Sequence, residues 1–238
     1  MNVLHSLGSR DPFAPIVKGE HCRRFLSDVG IVEVPISLRV VFSWKKVLPA
    51  GVYKLYEYEN ETMSFDFRNL DERTRSLMLD EIRSDAIQDR LYQSPRLSEA
   101  GRQRYPNILI QAITEGSDAT LATDLRVPGM MNETEIRKKP SGGVTTAVVP
   151  FTAPETLAEG EFNRFYMRAI CRRAIEDGQS RVTAYRAKPV MNARSASEQL
   201  IGRQLDAQRL LEDLRTSIGV DTALGLPPGP NSGLSVHL

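Results

Sequence analysis

The chain has 238 residues, of which 41% are hydrophobic and 26% charged, and its formal net charge is +1. This is the composition of an average globular protein, and it excludes a disordered or fibrous chain. A chain of this length buries enough surface to fold without a metal or a disulfide.

The cysteines and histidines argue against metal chemistry. Cys22 and Cys171 lie far apart, and the chain has three histidines. Structural zinc needs four such ligands at close spacing, so no metal site is predicted. There is no charged-then-apolar leader and no apolar run near the length of a membrane span. We therefore expect a cytoplasmic protein that does not contact the membrane.

Charge is unevenly distributed along the chain. Residues 51–100 hold 7 basic and 11 acidic side chains, whereas residues 160–215 hold 11 basic and 7 acidic ones. Regions of opposite charge attract one another within a fold or between copies in an assembly. The sequence leaves both interpretations open.

The first 67 residues lead from an irregular arm into strands. Residues 1–34 are interrupted by prolines, and we expect an arm that wraps its own domain or a neighbour. Residues 36–44, 52–58 and 63–67 are rich in β-branched and aromatic residues. The last two of these runs are typical of an antiparallel hairpin.

The central part of the chain predicts three helices. Apolar residues recur at helical spacing over residues 70–90, and Asp71 is placed to cap their start. A second helix at 106–114 would carry its proline in the first turn, where the missing N–H is tolerated. A third spans 118–125. The glycines and prolines at 128–143 indicate a linker loop between subdomains.

A strand, a long helix and a second strand follow this loop. Residues 144–149 are the first predicted strand, and residues 181–188 are the second. Thr152 and Glu155 have the spacing of a capping box that opens the helix between them. Strand, helix and strand in one sheet make a parallel, right-handed crossover. The sequence therefore predicts a β-α-β unit.

A last helix at 207–217, capped by Asp206, ends the regular pattern. The expected fold class is α+β, with N-terminal antiparallel strands, central helices and the C-terminal β-α-β unit. The predicted segments are an N-terminal arm (1–34), a β-hairpin and helical subdomain (35–127), the linker loop (128–143), the β-α-β subdomain with the last helix (144–219) and an extended tail (220–238).

The tail is rich in proline and glycine but ends on three alternating apolar residues, Leu234, Val236 and Leu238. A flexible segment with spaced apolar residues is typical of an extended end that docks by strand addition or into a groove. It could dock on its own domain or on a partner.

Arginines are aligned on the long predicted helix. Arg164, Arg168 and Arg172 are spaced by four, so they share one side of the helix and call for anionic partners. The partners could be carboxylates of the same fold, another protein subunit, or the phosphates of a nucleic acid. The candidate binding residues of the region are Arg164, Arg168, Arg172, Arg173, Arg181 and Arg186.

Known catalytic motifs are missing from the chain. It has no G-x-S-x-G, no H-E-x-x-H and no G-x-G-x-x-G motif, so neither catalytic residues nor a cofactor are predicted. The basic, glycine-rich run at 138–143 lacks the spacing of a phosphate loop and precedes a strand, so it is interpreted as a turn.

We therefore expect a non-enzymatic structural or assembly protein. It would be a subunit or accessory component of a larger complex, with a viral or phage-like particle as one setting, and would use its terminal arms and arginine-lined helix for protein contacts or self-association. A nucleic-acid-binding protein that contacts phosphates through the same arginines is the alternative. An enzyme whose site is assembled from scattered residues is a third.

Overall fold

The structure of the chain, a computed structural model, describes residues 64–218 and 232–238. All of them belong to one unit, Thr62–Leu238. The predictions for the N-terminal arm, for the strands at 36–44 and 52–58, and for the proline-rich part of the tail lie outside the described residues. The strand predicted at 63–67 is wrong over residues 64–67, which form no regular element although Asp66 N donates to Ala187 O at 2.8 Å.

Three helices come first in the described chain: α1 (Glu72–Ile87), α2 (Glu99–Glu115) and α3 (Asp118–Leu125). Asp71 accepts a hydrogen bond from the backbone N of Thr74 at 2.9 Å, which confirms the predicted cap of α1. The prediction that placed Pro106 in a first turn is wrong, because α2 begins two turns earlier. Its cap is Ser98, whose Oγ accepts from the N of Gly101 at 2.9 Å.

An antiparallel hairpin follows, made of β1 (Thr134–Lys138) and β2 (Val144–Val148), with Ile136 opposite Thr146. The predicted strand at β2 is confirmed, but the prediction of residues 128–143 as loop alone is wrong. β1 reads Thr-Glu-Ile-Arg-Lys, and one apolar residue carries no period-two signal. Its pairing with β2 decides its conformation.

The longest helix of the described residues is α4 (Ala153–Glu176), and its start differs from the prediction. The predicted capping box is wrong: Thr152 makes no side-chain cap hydrogen bond, and its φ of −85° and ψ of 7° are far from the extended backbone of a capping residue. Its carbonyl accepts from Thr156 Oγ1 at 2.8 Å instead. Gly178, just past the helix, has a φ of +73°, the left-handed conformation that glycine readily supplies there.

The second sheet is entirely antiparallel. β3 (Arg181–Arg186) lies between β4 (Gln204–Asp206) and β5 (Leu234–His237). The predicted parallel β-α-β unit is therefore wrong, since β2 and β3 flank α4 in the chain but belong to different sheets. Periodicity locates a strand, but it does not say which strand is its neighbour.

Two helices flank β4: the short α5 (Ser195–Glu198) and α6 (Ala207–Thr216). Asp206 Oδ1 accepts a hydrogen bond from the backbone N of Arg209 at 2.9 Å, which confirms the predicted cap of α6. The described residues thus form an α+β fold with two small antiparallel sheets, in agreement with the fold class predicted from the sequence.

The core forms around α4, which packs against α1, α3, α6, β3 and β5. One cluster of buried side chains runs from Leu77 to Val236, so the segments before and after the β1–β2 hairpin share a core. The apolar stripe of α4 lies within it: Phe162, Phe165, Tyr166, Ala169, Ile170 and Ala174.

Candidate interaction surface

The β1–β2 hairpin presents an apolar face to solvent. Side chains alternate between the two faces of a strand, and the two residues of each directly opposed pair lie on the same side of the sheet. Ile136, Val144 and Val148 on that side are 77%, 62% and 77% exposed. We call this side the outer hairpin face; it consists of Thr134, Ile136, Lys138, Val144, Thr146 and Val148.

The opposite side of the hairpin faces the body of the protein through a charged contact. Glu135 accepts hydrogen bonds from Arg96 Nε at 2.6 Å and from Arg137 Nε at 2.6 Å. The hydrogen bonds from Arg96 and then Arg137 lower the pKa of Glu135 from its ordinary value. This contact orients the hairpin, so the apolar side is the one left to solvent.

The base of the hairpin is anchored to the segment that leads into α2. Asn132 Nδ2 donates to the carbonyl oxygens of Leu97 and Pro95, at 3.0 and 3.2 Å. The backbone N of Ser98 donates to Met130 O at 3.0 Å. A Cβ on Gly101 would lie 2.0 Å from that same Met130 oxygen, so only glycine permits this approach. The hairpin therefore projects from a fixed base.

A shallow groove of about 510 Å³ lies beside the base, between the loop after α3 and the start of α4. Val127 and Phe151 line it and are exposed, and Val148 joins it to the outer hairpin face. The guanidinium of Arg126 lies 4.6 Å from the centroid of the Phe151 ring and forms an ion pair with Glu155. The groove therefore extends the apolar surface of the hairpin.

The outer edge of β2 carries no further strand within residues 64–218 and 232–238. Val149 N donates to Glu133 O, and Lys139 N donates to Gly143 O, both at 3.0 Å. Hydrogen-bonded and non-bonded pairs alternate in an antiparallel ladder, so every second residue of β2 directs its backbone N–H and C=O away from β1. These residues are Val144, Thr146 and Val148.

The aligned arginines of α4 point inward. Arg168 is 1% exposed. It donates from Nε to Glu81 at 2.8 Å and from Nη1 to Asp85 at 2.5 Å. Arg215 reaches the same Glu81 at 2.6 Å. The pKa of Glu81 is lowered, since the hydrogen bonds and charges of Arg215 and Arg168 outweigh the opposing effect of burial.

Arg164 is also inside, at 5% exposure, and forms an ion pair with Glu161 one turn earlier on α4. Burial raises the pKa of Glu161 to about 7, against the lowering effect of the charges of Arg164 and Arg168. Of the partners that the sequence left open, carboxylates of the same fold are the ones found at these two arginines.

The other four candidate arginines lie nearer the surface. Arg172 pairs with Glu81, Asp80 and Glu176, Arg173 with Asp71, and Arg186 with Glu198, while Arg181 is exposed. Contact of these arginines with a partner or with phosphate stays a prediction. Such a contact would use these four arginines, unless Arg164 and Arg168 first broke their buried ion pairs.

The apolar end of the tail lies against its own fold. Leu234 and Val236 are buried in β5, and Leu238 is partly buried. The carbonyl of Leu234 accepts from Asn163 Nδ2 at 2.9 Å, and Leu238 N donates to Asn69 Oδ1 at 3.3 Å. Strand addition is thus the mode of contact, with β3 of the same chain as the strand that is extended.

Sequence reasoning missed the hairpin as a surface. Its signals were an uncharged Val-Thr-Thr-Ala-Val run after a basic, glycine-rich turn. Gly142 and Gly143 in that turn have φ values of +89° and +80°, which glycine adopts without strain. Turn residues between two β-forming runs are the mark of a hairpin, but the first run was too polar to be recognised.

Two further features concern the side chains that could hold a metal and the buried thiol of Cys171. No group of three or more histidine, cysteine, aspartate or glutamate side chains in residues 64–218 and 232–238 is placed to hold a metal ion. Burial raises the pKa of the Cys171 thiol to about 12, which leaves it protonated at neutral pH. Over the same residues, no helix has the length and apolar character to cross a membrane.

Comparisons of the chain with protein-family models, with curated proteins and with solved structures found no match.

Proposed function

We propose that the chain is a non-enzymatic component of a protein assembly and that it makes its contacts through the outer hairpin face. The observation that carries the proposal is the exposure of Ile136, Val144 and Val148 on one side of a two-stranded sheet. An isolated two-stranded hairpin is marginal in water, so a partner that covers the face would stabilise it.

The surface has the features of a protein contact. Contiguous exposed apolar residues mark interaction sites, whereas apolar residues scattered singly do not. Here the apolar side chains are adjacent on the sheet and continue into the groove at Phe151. Lys138 and Glu133 lie at the margins and are exposed, as expected for the polar rim of an interface.

This proposal relocates the contacts that the sequence assigned to the arginine helix. Arg164 and Arg168 have carboxylate partners inside the fold, so a contact made by them would first have to break buried ion pairs. The hairpin needs no such rearrangement. The narrower expectation of a viral or phage-like particle stays a prediction.

The proposal is tested by the mass of the protein in solution. The wild-type chain, of 26.6 kDa, is expected to form a larger species whose mass falls on dilution. Val148→Asp places a charge on the outer hairpin face and is expected to shift the mass towards that of one chain. Light scattering after size-exclusion chromatography measures both.

Ile87→Asp is the matched control, because Ile87 is also an exposed apolar residue, at 86%, but lies on α1 and not on the hairpin. It should leave the mass unchanged. A wild-type mass of 26.6 kDa at every concentration, or an equal effect of the two aspartates, would overturn the proposal.

A further inference from the structure

β2 is the edge of the hairpin that invites another strand. Natural proteins protect open strand edges with lysine, proline or covering segments. β1 carries Glu135, Arg137 and Lys138, whereas β2 reads Val-Thr-Thr-Ala-Val, with neither charge nor proline. An uncharged edge of β-branched residues is a template for main-chain pairing.

The sequence of β2 is complementary to itself. If a second copy of β2 is laid antiparallel with Thr146 opposite Thr146, then Val144 lies opposite Val148 of the second copy. Thr145 lies opposite Ala147 of the second copy. The two valine pairs and the central threonine pair then join identical β-branched side chains, and pairs of this kind stabilise a sheet.

The backbone supports the same alignment. The residues of β2 whose N–H and C=O groups point away from β1 are Val144, Thr146 and Val148, as the hydrogen bonds at Val149 and Lys139 indicate. When the pairing is centred on Thr146, each of these three residues lies opposite a residue of the same set in the second copy. A shift of the pairing by one residue would place backbone N–H and C=O groups that point away from β1 opposite groups that point towards it. It would also turn the valines to the opposite face.

Charge favours the antiparallel direction. The turn of the hairpin carries Lys138 and Lys139, and its base carries the exposed Glu133. Antiparallel pairing puts the basic turn of each copy at the end of the sheet where the base of the other copy lies. Parallel pairing would bring two basic turns together and would oppose like charges.

We infer that two copies of the chain associate through β2, in antiparallel register about Thr146, and form a continuous sheet in the order β1-β2-β2-β1. The inference rests on the proposed function: it names a second copy as a partner of the hairpin and places that copy along β2, at the edge of the outer hairpin face. One surface patch serves both copies, as in two-fold symmetric dimers. The four-stranded sheet would place the two outer hairpin faces side by side as one apolar surface.

A disulfide at the symmetry position tests the register. A hydrogen-bonded antiparallel pair has its Cα atoms about 5.5 Å apart, within the reach of a disulfide. Thr146→Cys is therefore expected to form an intermolecular disulfide under mild oxidation, scored by non-reducing electrophoresis. All variants carry Cys22→Ser, while the buried Cys171 is left in place because its raised pKa, about 12, makes it unreactive.

Val144→Cys is the matched control. In the inferred register its two copies lie about four residues apart along the strands, roughly 13 Å, which a disulfide cannot span. Thr146→Cys should give about ten-fold more linked dimer than Val144→Cys. The double variant Val144→Cys/Val148→Cys should restore cross-linking, since position 144 of one copy lies opposite position 148 of the other in the inferred register.

The outcomes separate this inference from the proposed function. A large species that dissociates with Val148→Asp but links no better through Thr146→Cys than through Val144→Cys would overturn the register and leave the assembly role standing. A chain that stays at 26.6 kDa and forms no linked dimer would overturn both. Efficient linking through Thr146→Cys with an inert Val144→Cys would support both.

Discussion

The helix α4 and the β1–β2 hairpin reverse the usual distribution of side chains. Arg164 and Arg168 of α4 are buried, while Ile136 and Val148 of the hairpin are largely exposed. The comparison shows that residue type alone does not decide burial. Partners do: the arginines meet carboxylates inside the fold, whereas the hairpin valines meet no covering element among the described residues.

The two regions differ in what they do for the fold. A buried charge is tolerable only when it is paired and hydrogen-bonded, and Arg168 joins α4 to α1 through Glu81 and Asp85. The outer side chains of the hairpin contribute little to the core, because they remain largely in contact with water. We therefore expect substitutions in α4 to change stability and substitutions on the hairpin to change association.

The largest effect is expected from Arg168→Met. It removes the partner that Glu81 and Asp85 share, at a site where all three side chains are at most 2% exposed. Breaking a buried ion pair from one side costs about 3–5 kcal/mol. The free energy of unfolding, measured by urea titration, should fall by that amount.

Arg83→Ala is the control for this loss. Arg83 also pairs with an aspartate of α1, but its side chain is 70% exposed, and exposed pairs contribute about 1 kcal/mol or less. If Arg168→Met cost no more than Arg83→Ala, the view of α4 as the anchor of a buried charge cluster would be wrong.

An intermediate effect, visible only as a dependence on pH, is expected from Glu161→Gln. Burial raises the pKa of Glu161 from 4.5 to about 7, with Asp85 acting in the same direction and the charges of Arg164 and Arg168 opposing it. The folded chain thus holds this proton more tightly than the unfolded chain. The stability contributed by protonation is present below pH 4.5 and is lost as the pH rises towards 7. Relative to wild type, the free energy of unfolding of Glu161→Gln should therefore rise by about 3 kcal/mol between pH 4.5 and 7.

Urea unfolding at pH 4.5, 5.5 and 7.5 measures this gain. Glu135→Gln is the control, because the pKa of Glu135 is lowered by Arg96 and Arg137. Its stabilising charge is lost only on acidification, so substitution should leave the slope from pH 5.5 to 7.5 unchanged. Parallel stability curves for wild type and Glu161→Gln would contradict the burial of an ionisable Glu161.

The smallest effect on stability is expected from Ile136→Thr on the outer hairpin face. Ile136 is 77% exposed, and surface substitutions of this kind usually change the free energy of unfolding by about 0.5 kcal/mol or less. Measured on dilute protein, where self-association is minimal, the unfolding midpoint should not move.

Ile113→Thr makes the same chemical change in α2, where Ile113 is 0% exposed. It replaces a buried ethyl group with a hydroxyl, so we expect a loss of about 2–4 kcal/mol. Equal effects of the two substitutions would mean that the hairpin is covered within the monomer, and the comparison between the two regions would fail.

Much of the fold could be predicted where the signal is local. Asp71 and Asp206 cap α1 and α6 through hydrogen bonds to residues three positions later, a pattern readable in sequence. Long-range pairing was less accessible. The polar strand β1 became a strand only through β2, and Thr152 matched a capping pattern without adopting its geometry.

The candidate site was less predictable than the fold. The spacing of Arg164, Arg168 and Arg172 correctly indicated a shared side of one helix, and it raised carboxylates of the same fold as one possible partner. Which side of α4 faces Glu81 and Asp85 depends on how α1 packs, and these residues lie more than 80 positions earlier in the chain. A pattern of neighbouring residues cannot specify a contact between positions so far apart in the chain.

Local sequence was sufficient to specify the apolar stripe of α4, the caps of α1 and α6 and the turn before β2, because each depends on residues within one or two turns of one another. Tertiary contacts place β2 and β3 in separate sheets, pair β5 with β3, and put Arg164 and Arg168 inside while Ile136 and Val148 lie outside. Those outcomes depend on contacts between segments far apart in the chain, and on which partner compensates each buried charge.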